Sequence, residues 1–325
     1  MTLRKYHIML FILFSFSTSN FSQTEFIKQF YGDKFSQKYT VERWSTDNGL
    51  PQNSVNDITQ TPDGFLWVAT NEGIARFDGY EFTYFNMSNT PGLKFNRVKR
   101  LLGDNQGGIW IGGEAGDVVY LTDQYIITDY SKHFPPDMGP VQRIELDQKG
   151  NIWFASYKYV VKYNGVVFKV IFKTDEKVSS LIVTSAIAYN SYIIADINGL
   201  ILLSPKSNYQ PARITNITSH ILKYVGNNEI LIVDENLVKY FSLKDKKISK
   251  VISKQKLPNA FSTVYIDKED NIWGGSPRLG LIVVETGKGR NIFFDNSLLK
   301  RTTIGKIFQD NLGNIWVGTG SKGLF

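Results

Sequence analysis

Asp104-Asn105-Gln106-Gly107-Gly108-Ile109-Trp110-Ile111-Gly112-Gly113 places a tight turn directly before a short apolar strand centred on Trp. In such a turn the Asp side chain can accept backbone N–H groups and the glycine supplies a φ > 0 position. The same form returns at Gly64-Phe65-Leu66-Trp67-Val68, Asn151-Ile152-Trp153-Phe154, Asn271-Ile272-Trp273-Gly274 and Asn314-Ile315-Trp316-Val317. From 67 to 110, 110 to 153 and 273 to 316 the interval is 43 residues each time. The interval from 153 to 273 is 120 residues, room for two further copies, and both are present without Trp. Ile193-Ile194-Ala195-Asp196-Ile197-Asn198-Gly199-Leu200 aligns without gaps on Trp67-Val68-Ala69-Thr70-Asn71-Glu72-Gly73-Ile74. Leu231-Ile232-Val233-Asp234, followed by Asn236-Leu237-Val238-Lys239-Tyr240, is the other, with a shortened loop.

Each copy reads as four short strands. An apolar run nine to twelve residues before the Trp position, such as Val55–Ile58 or Val98–Leu101, comes first. The turns Asp104–Gly107, Asp147–Gly150 and Asp310–Gly313 lead into the Trp strand. A loop with Gly73, Gly116, Gly280 or Gly323 leads to the third strand, and Asp78-Gly79 or Asn164-Gly165 turns into an aromatic fourth, as in Tyr80-Glu81-Phe82-Thr83-Tyr84-Phe85. Units of about 40 residues with four strands each are the mark of a β-propeller. The expectation is an all-β fold, a seven-bladed propeller with repeat cores near 55–85, 98–130, 141–172, 181–214, 221–253, 261–295 and 304–325. The final copy stops at its third strand, while Lys38-Tyr39-Thr40-Val41-Glu42-Arg43-Trp44 precedes the first. That segment is expected to serve as the missing fourth strand, seal the ring and leave no terminal edge unpaired.

The chain is 325 residues with 42% hydrophobic and 14% aromatic residues and no cysteine, which excludes a disordered chain and a disulfide scaffold. Residues 1–22 read as a secretory leader: Arg4 and Lys5, an apolar run from Ile8 to Phe14, then a small and polar stretch to Ser22. The run is shorter than the about 20 residues a membrane helix needs. Residues 23–37 form a lead-in, 38–325 the propeller, and the expected location is exported and periplasmic. The net charge of +7 falls to +5 with the leader. Within 239–256, Lys239, Lys244, Lys246, Lys247, Lys250, Lys254 and Lys256 stand against Asp245 alone. The basic excess therefore belongs to the outer strands of one blade, where lysines blunt an exposed edge, and no nucleic-acid partner is expected.

The recurring form Asp-x-x-Gly-x-[Ile/Leu]-Trp-[Ile/Val]-[Gly/Ala]-[Gly/Thr]-x-x-Gly-[Ile/Leu] resembles the two-component regulator propeller repeat. The opening Trp44-Ser-Thr-Asp-Asn-Gly-Leu-Pro-Gln-Asn-Ser-Val55, with Arg76-Phe77-Asp78-Gly79-Tyr80-Glu81-Phe82, is similar to the start of that family's sensor region. The resemblance implies the periplasmic input region of a hybrid sensor histidine kinase, or of a related propeller-containing transcription regulator of Bacteroidetes, often tuned to glycans. It implies C-terminal signalling domains that these residues do not include, and a homodimer in the longer parent.

No phosphate cradle occurs, His133 and His220 stand far apart without a carboxylate pattern, and neither a catalytic residue, a cofactor nor a metal is expected. The turn motif partly resembles the Asp-box of exported sialidase-like propellers, which keeps a glycoside hydrolase or lyase as the rival to a sensor; a protein-interaction scaffold is a third reading. Asp104, Asp147 and Asp310 are repeated because the turn is repeated, so their role is structural. Ligand contacts are expected where copies differ, on the face shared by the loop entering strand one and the loop joining strands two and three. The first set is Asn53, Asn96, Arg97 and Asn259; the second is Asn71, Glu72, Glu114, Tyr157, Lys158 and Arg278. Their amides and charges suit a small polar ligand, an oligosaccharide among them. Trp67, Trp110, Trp153, Trp273 and Trp316 belong to the core between blades. Substituting Trp110→Ala is expected to lower stability by about 3–5 kcal/mol and leave the ligand preference of the folded remainder intact; lost binding with an unaltered melting curve would contradict this.

Overall fold

The computed structural model describes residues 39–174, 184–188, 191–234, 237–252, 261–277, 279–286, 290–293 and 298–325. The expected leader lies outside them, as do Asn259 and Arg278. Along the chain run six antiparallel four-stranded sheets. The first is β1 (Val55–Gln60), β2 (Leu66–Thr70), β3 (Gly73–Phe77) and β4 (Phe82–Phe85). The second is β5 (Val98–Gly103), β6 (Ile109–Gly113), β7 (Val118–Leu121) and β8 (Ile127–Asp129); the third is β9 (Arg143–Leu146), β10 (Ile152–Ala155), β11 (Tyr159–Tyr163) and β12 (Phe168–Lys173). The fourth and fifth, which lack Trp, are β13 (Thr184–Ala188), β14 (Ser191–Asp196), β15 (Gly199–Leu203), β16 (Pro211–Thr215) and β17 (Leu222–Gly226), β18 (Glu229–Asp234), β19 (Leu237–Ser242), β20 (Lys247–Val251). The sixth is β21 (Thr263–Ile266), β22 (Ile272–Ser276), β23 (Gly280–Glu285) and β24 (Arg290–Phe293). A two-stranded sheet, β25 (Ile304–Gln309) with β26 (Ile315–Thr319), comes last.

In every sheet the strands pair in chain order. The first strands lie innermost and touch in sequence: β1 with β5, β5 with β9, β9 with β13, β13 with β17, and β21 with β25. Strand β25 in turn meets β1, so the last sheet adjoins the first. This is a β-propeller. Apolar clusters fill the seams between consecutive sheets, and one joins Trp316 and Leu324 to Val55, Ile58, Val68 and Phe77 across the two chain ends. In the first, second, third and sixth sheets every residue of the second strand is buried, because each is covered by a neighbouring sheet on both faces.

Close approach at these seams requires a small residue two positions after the Trp. A Cβ on Gly112 would stand 2.7 Å from Cβ of Val141, and one on Gly275 would stand 2.6 Å from Cβ of Ile304. On Gly318 it would meet Val55 Cγ1 at 2.5 Å. Ala69 and Ala155 occupy the same place in the other two Trp copies.

The expected count of seven four-stranded blades requires correction: among the described residues six sheets have four strands and the seventh repeat forms two. Nor do residues 39–44 form a strand. Trp44 alone bridges Leu324, and Leu324 bridges Gly318. Trp44 and Leu324 exchange two backbone hydrogen bonds of 2.8 and 2.9 Å. The pairing stops there for a local reason. Ser45, directly after Trp44, opens a capping box on the short 3-10 turn Thr46–Asn48, and Gly323, directly before Leu324, takes φ 90°. In an antiparallel pair these two residues face each other, so the chain bends away on that side of the bridge; on the other side Phe325 pairs with Val317 of β26.

The turn aspartates do more than shape turns. Asp147 accepts the backbone N–H of Lys149 and Asn151, the Asn151 amide, and the Trp153 indole N–H at 2.9 Å. Asp310 takes the Trp316 indole at 2.8 Å and Asp267 takes that of Trp273 at 2.7 Å. In the first sheet Thr61 substitutes, accepting from Trp67 at 3.1 Å. The second sheet differs: Asp104 accepts the Tyr120 hydroxyl, and Trp110 lies among Tyr120, Tyr130, Phe154 and Tyr163.

Burial opposes the Asp147 charge, but the Trp153 and Asn151 donors and the two backbone N–H groups outweigh it and hold its pKa below the usual value. The same balance lowers Asp310. A depressed folded-state pKa gives stability that is present above the unfolded pKa and lost as pH falls through the folded one. Melting temperature should therefore drop below about pH 4. Asp147→Ala, which strands the indole and backbone donors, should cost about 2–4 kcal/mol at pH 7 and flatten that acid limb; an unchanged limb in the variant would refute the assignment.

Candidate functional site

A cleft of about 460 Å³ opens where the first and second sheets meet. It is lined by Asn71 and Glu72 from the β2–β3 loop, Phe95, Asn96 and Arg97 from the segment entering β5, and Glu114, Ala115 and Asp117 from the β6–β7 loop. Adjacent repeats thus deliver both loop types of one face to a common hollow. Five residues chosen from sequence, Asn71, Glu72, Asn96, Arg97 and Glu114, come together here.

Their geometry is set by backbone and side-chain ties. Arg97 donates from its guanidinium to Glu114 Oε2 at 3.0 Å, and Lys99 Nζ reaches Oε1 at 3.2 Å. These hydrogen bonds, Arg97 first and Lys99 second, hold the Glu114 carboxyl below its ordinary pKa. The Glu114 N–H also donates to the Arg97 carbonyl, which fixes the two loops against each other. Asn71 Oδ1 accepts from Asn56 Nδ2 at 2.9 Å, and the same Asn56 amide donates to the Val98 carbonyl at 2.7 Å. The Asn71 N–H goes to Gln52 Oε1. Asn96 Oδ1 accepts the Met87 N–H, leaving its amide nitrogen for the cleft. The Glu72 and Asp117 side chains make no hydrogen bond to any described residue. The cleft therefore offers carboxylate and amide acceptors, an oriented guanidinium and the Phe95 ring.

The other sequence candidates lie elsewhere. Asn53 is spent on structure: its Oδ1 accepts the Thr46 N–H, its amide donates to Thr46 Oγ1, and its carbonyl accepts from Gly323. Tyr157 and Lys158 sit on the β10–β11 loop of the third sheet, with Lys158 3.6 Å from Asp137. Phe95, Asp117, Gln52 and Asn56 escaped the sequence reading. Asn56 had a usable signal, being an amide directly after the first residue of an apolar inner strand. A larger cavity of about 540 Å³ lies between Tyr39–Trp44 and the two-stranded sheet, lined by Trp273, Leu281, Trp316 and Phe325. Thr40, Glu42 and Asn314 line it as well, but it gathers none of the ligand contacts chosen from sequence.

With the fold and cleft described, the class of protein is a β-propeller built of sequence repeats. The family profile described as two component regulator propeller matches residues 49–72 and 92–115, the stretches that build the cleft, so the resemblance read from the repeat holds there. The fold is similar to the extracellular domain of the hybrid two component system protein BT3049 from B. thetaiotaomicron, with TM-score 0.70 and 20% identity, covering 88% of this chain and 41% of that one. It is similar also to the extracellular domain of BT4673 from the same organism, with TM-score 0.69 and 18% identity, covering 87% and 39%. The chain thus spans about two fifths of the length of these proteins. Virginiamycin B lyase from Staphylococcus aureus has TM-score 0.64 at 14% identity, covering 85% of this chain and 96% of that one. Comparison with curated protein sequences gives no match. No helix among the described residues is long and apolar enough to cross a membrane.

The ties around the cleft differ in worth. Arg97, Lys99 and Glu114 are partly solvated and exposed ion pairs contribute little, so Glu114→Gln should leave the melting curve in place. Asn56→Ala removes the bond that links Asn71 to Val98 and should lower stability by about 1 kcal/mol; thermal melts of both variants check the contrast.

Proposed function

We propose that this chain is an exported ligand-sensing propeller, the extracytoplasmic input of a two-component signalling protein of the hybrid histidine kinase type, and that it binds a carbohydrate or similar small polar ligand in the Asn71/Arg97/Glu114 cleft. The observation that carries the reading is that residues selected because they vary between repeats converge with an ordered guanidinium, free carboxylates and an aromatic ring. Polar groups that both donate and accept beside an aromatic face match the chemistry of a sugar. In this proposal residues 1–22 are a leader, the domain works in the periplasm, and C-terminal signalling parts and a homodimer belong to the longer protein. Residues 38–44 act as the outer segment of a seventh blade. Supporting that last point, the Gly73 and Gly199 positions lie against the carbonyls of Phe85 and Thr215 at the ends of their fourth strands, and Gly323 lies likewise against Trp44.

Isothermal titration of the folded domain against a panel of neutral and acidic oligosaccharides is the test. At least one should bind, with Arg97→Ala and Glu114→Gln each weakening it about tenfold at unchanged melting temperature. Absence of binding across the panel would favour a scaffold. A lyase or hydrolase is the second reading, favoured by the unpaired Glu72 and Asp117 carboxylates in one cleft and by the likeness to virginiamycin B lyase. Turnover of an oligosaccharide that Glu72→Gln abolishes would establish it in place of the sensor.

A further inference from the structure

The strand register puts one position of the repeat at a common height around the central channel. Asp57 pairs with Ala69, Arg100 with Gly112, Arg143 with Ala155, Thr263 with Gly275 and Lys306 with Gly318. Two residues further along their strands, Glu145 pairs with Trp153 and Lys223 with Leu231. Strands β9, β17 and β25 are not neighbours in the ring. Even so, Glu145 interacts electrostatically with Arg143, Lys223 and Lys306, and Lys223 with Glu145, Lys306 and Arg143. Such groups can meet only across the channel.

Charge is not balanced there. Among the described inner strands the acids are Asp57 and Glu145, against Arg100, Arg143, Lys223 and Lys306. Lys99 is engaged at the cleft by Glu114. Asp57 is committed to Lys306 at 2.6 Å and to the Leu101 N–H at 3.0 Å. Arg100 donates to the backbone carbonyls of Gln142 and Lys99. Lys223 is open to the channel solvent and makes no hydrogen bond or ion pair with any described residue. Glu145 Oε2 is buried without a partner. Burial raises the Glu145 pKa, against the pull of Arg143, Lys223 and Lys306 and a hydrogen bond with Tyr192. Although Lys223 keeps surface open to solvent, the surrounding channel walls desolvate its ammonium and, with Lys306 and Arg143, lower its pKa against the pull of Glu145. A narrow channel walled by protein strengthens such an excess, because low-dielectric walls focus the field.

We propose that the central channel is an anion site, in which a small oxyanion at the height of Lys223 supplies the counter-charge that Asp57 and Glu145 leave unmet. The site is separate from the cleft between the first two sheets and does not depend on the function proposed for it. Lys223 is the direct contact, Arg100, Arg143 and Lys306 supply the field, and Glu145 is a positioning residue that sets how much positive charge remains.

The test uses the full chain, titrated calorimetrically with sodium sulfate and, separately, with sodium acetate, at ionic strength held constant with sodium chloride. One-to-one binding of sulfate or acetate is expected, the stronger of the two telling whether a tetrahedral anion or a carboxylate fits. Lys223→Met should weaken it by about tenfold or more. Glu145→Gln, which removes the remaining negative charge in nearly the same shape, should tighten it. Lys247→Met, on the exposed outer strand of the fifth sheet, should change nothing. No saturable heat with either anion would overturn the proposal, and so would equal affinity in Lys223→Met or weaker binding in a folded Glu145→Gln.

Discussion

The propeller rests on how near one sheet can come to the next. Sheets packed face to face are held apart by their side chains, at about 10 Å in ordinary sandwiches. Here the position two after each repeat Trp is Gly or Ala, and a β-branched residue in or just before the following inner strand presses into the space, as Val55 does on Gly318 and Val141 on Gly112. The large Trp ring lies beside this contact and fills the wider part of the same seam. Small and large residues therefore alternate along one strand because a wedge-shaped gap needs both, narrow toward the axis and broad toward the rim.

The Asp-to-indole bond follows from that packing. A Trp buried from both sides carries an N–H that must find an acceptor, and the turn just ahead of its strand is the nearest source. One carboxylate then closes the turn and satisfies the ring. The second sheet shows the rule by departing from it: a second aromatic, Tyr120, takes the carboxylate and Trp110 is enclosed by other rings. The fourth and fifth sheets dispense with Trp, and Ile193 and Leu231 at the equivalent place need no acceptor at all.

Much of this was legible in the linear sequence because the period is short and each repeat contains its own turn chemistry. Four-stranded sheets at Ile193 and Leu231 follow from alignment alone. The last repeat was harder. Its pairing depends on Trp44 meeting Leu324, and the capping box at Ser45 that ends the contact on one side belongs to a different local pattern. In the cleft, choosing residues that vary between copies found Asn71, Arg97 and Glu114, because the topology brings both loop types to one face. It also chose Asn53, which the turn at Thr46 consumes, since sequence cannot tell a free amide from a spent one. The channel charges were overlooked although Asp57, Arg100, Arg143 and Lys306 each fall ten residues before a Trp. A charge recurring inside an apolar inner strand, with its sign changing from copy to copy, was the signal.

The single bridge between Trp44 and Leu324 joins residues 280 positions apart in the chain, whereas the other sheets pair close in sequence. Loop closure of that length costs entropy that neighbouring hairpins do not face. Assembly should then proceed sheet by sheet from local hairpins, with the meeting of the two chain ends as the slow final event. Until that event the seam of Trp316, Phe77 and Val55 stays open to water. A sheet edge left open until then can pair with a neighbouring copy, so the contact of Trp44 with Leu324 also covers an edge through which copies could associate.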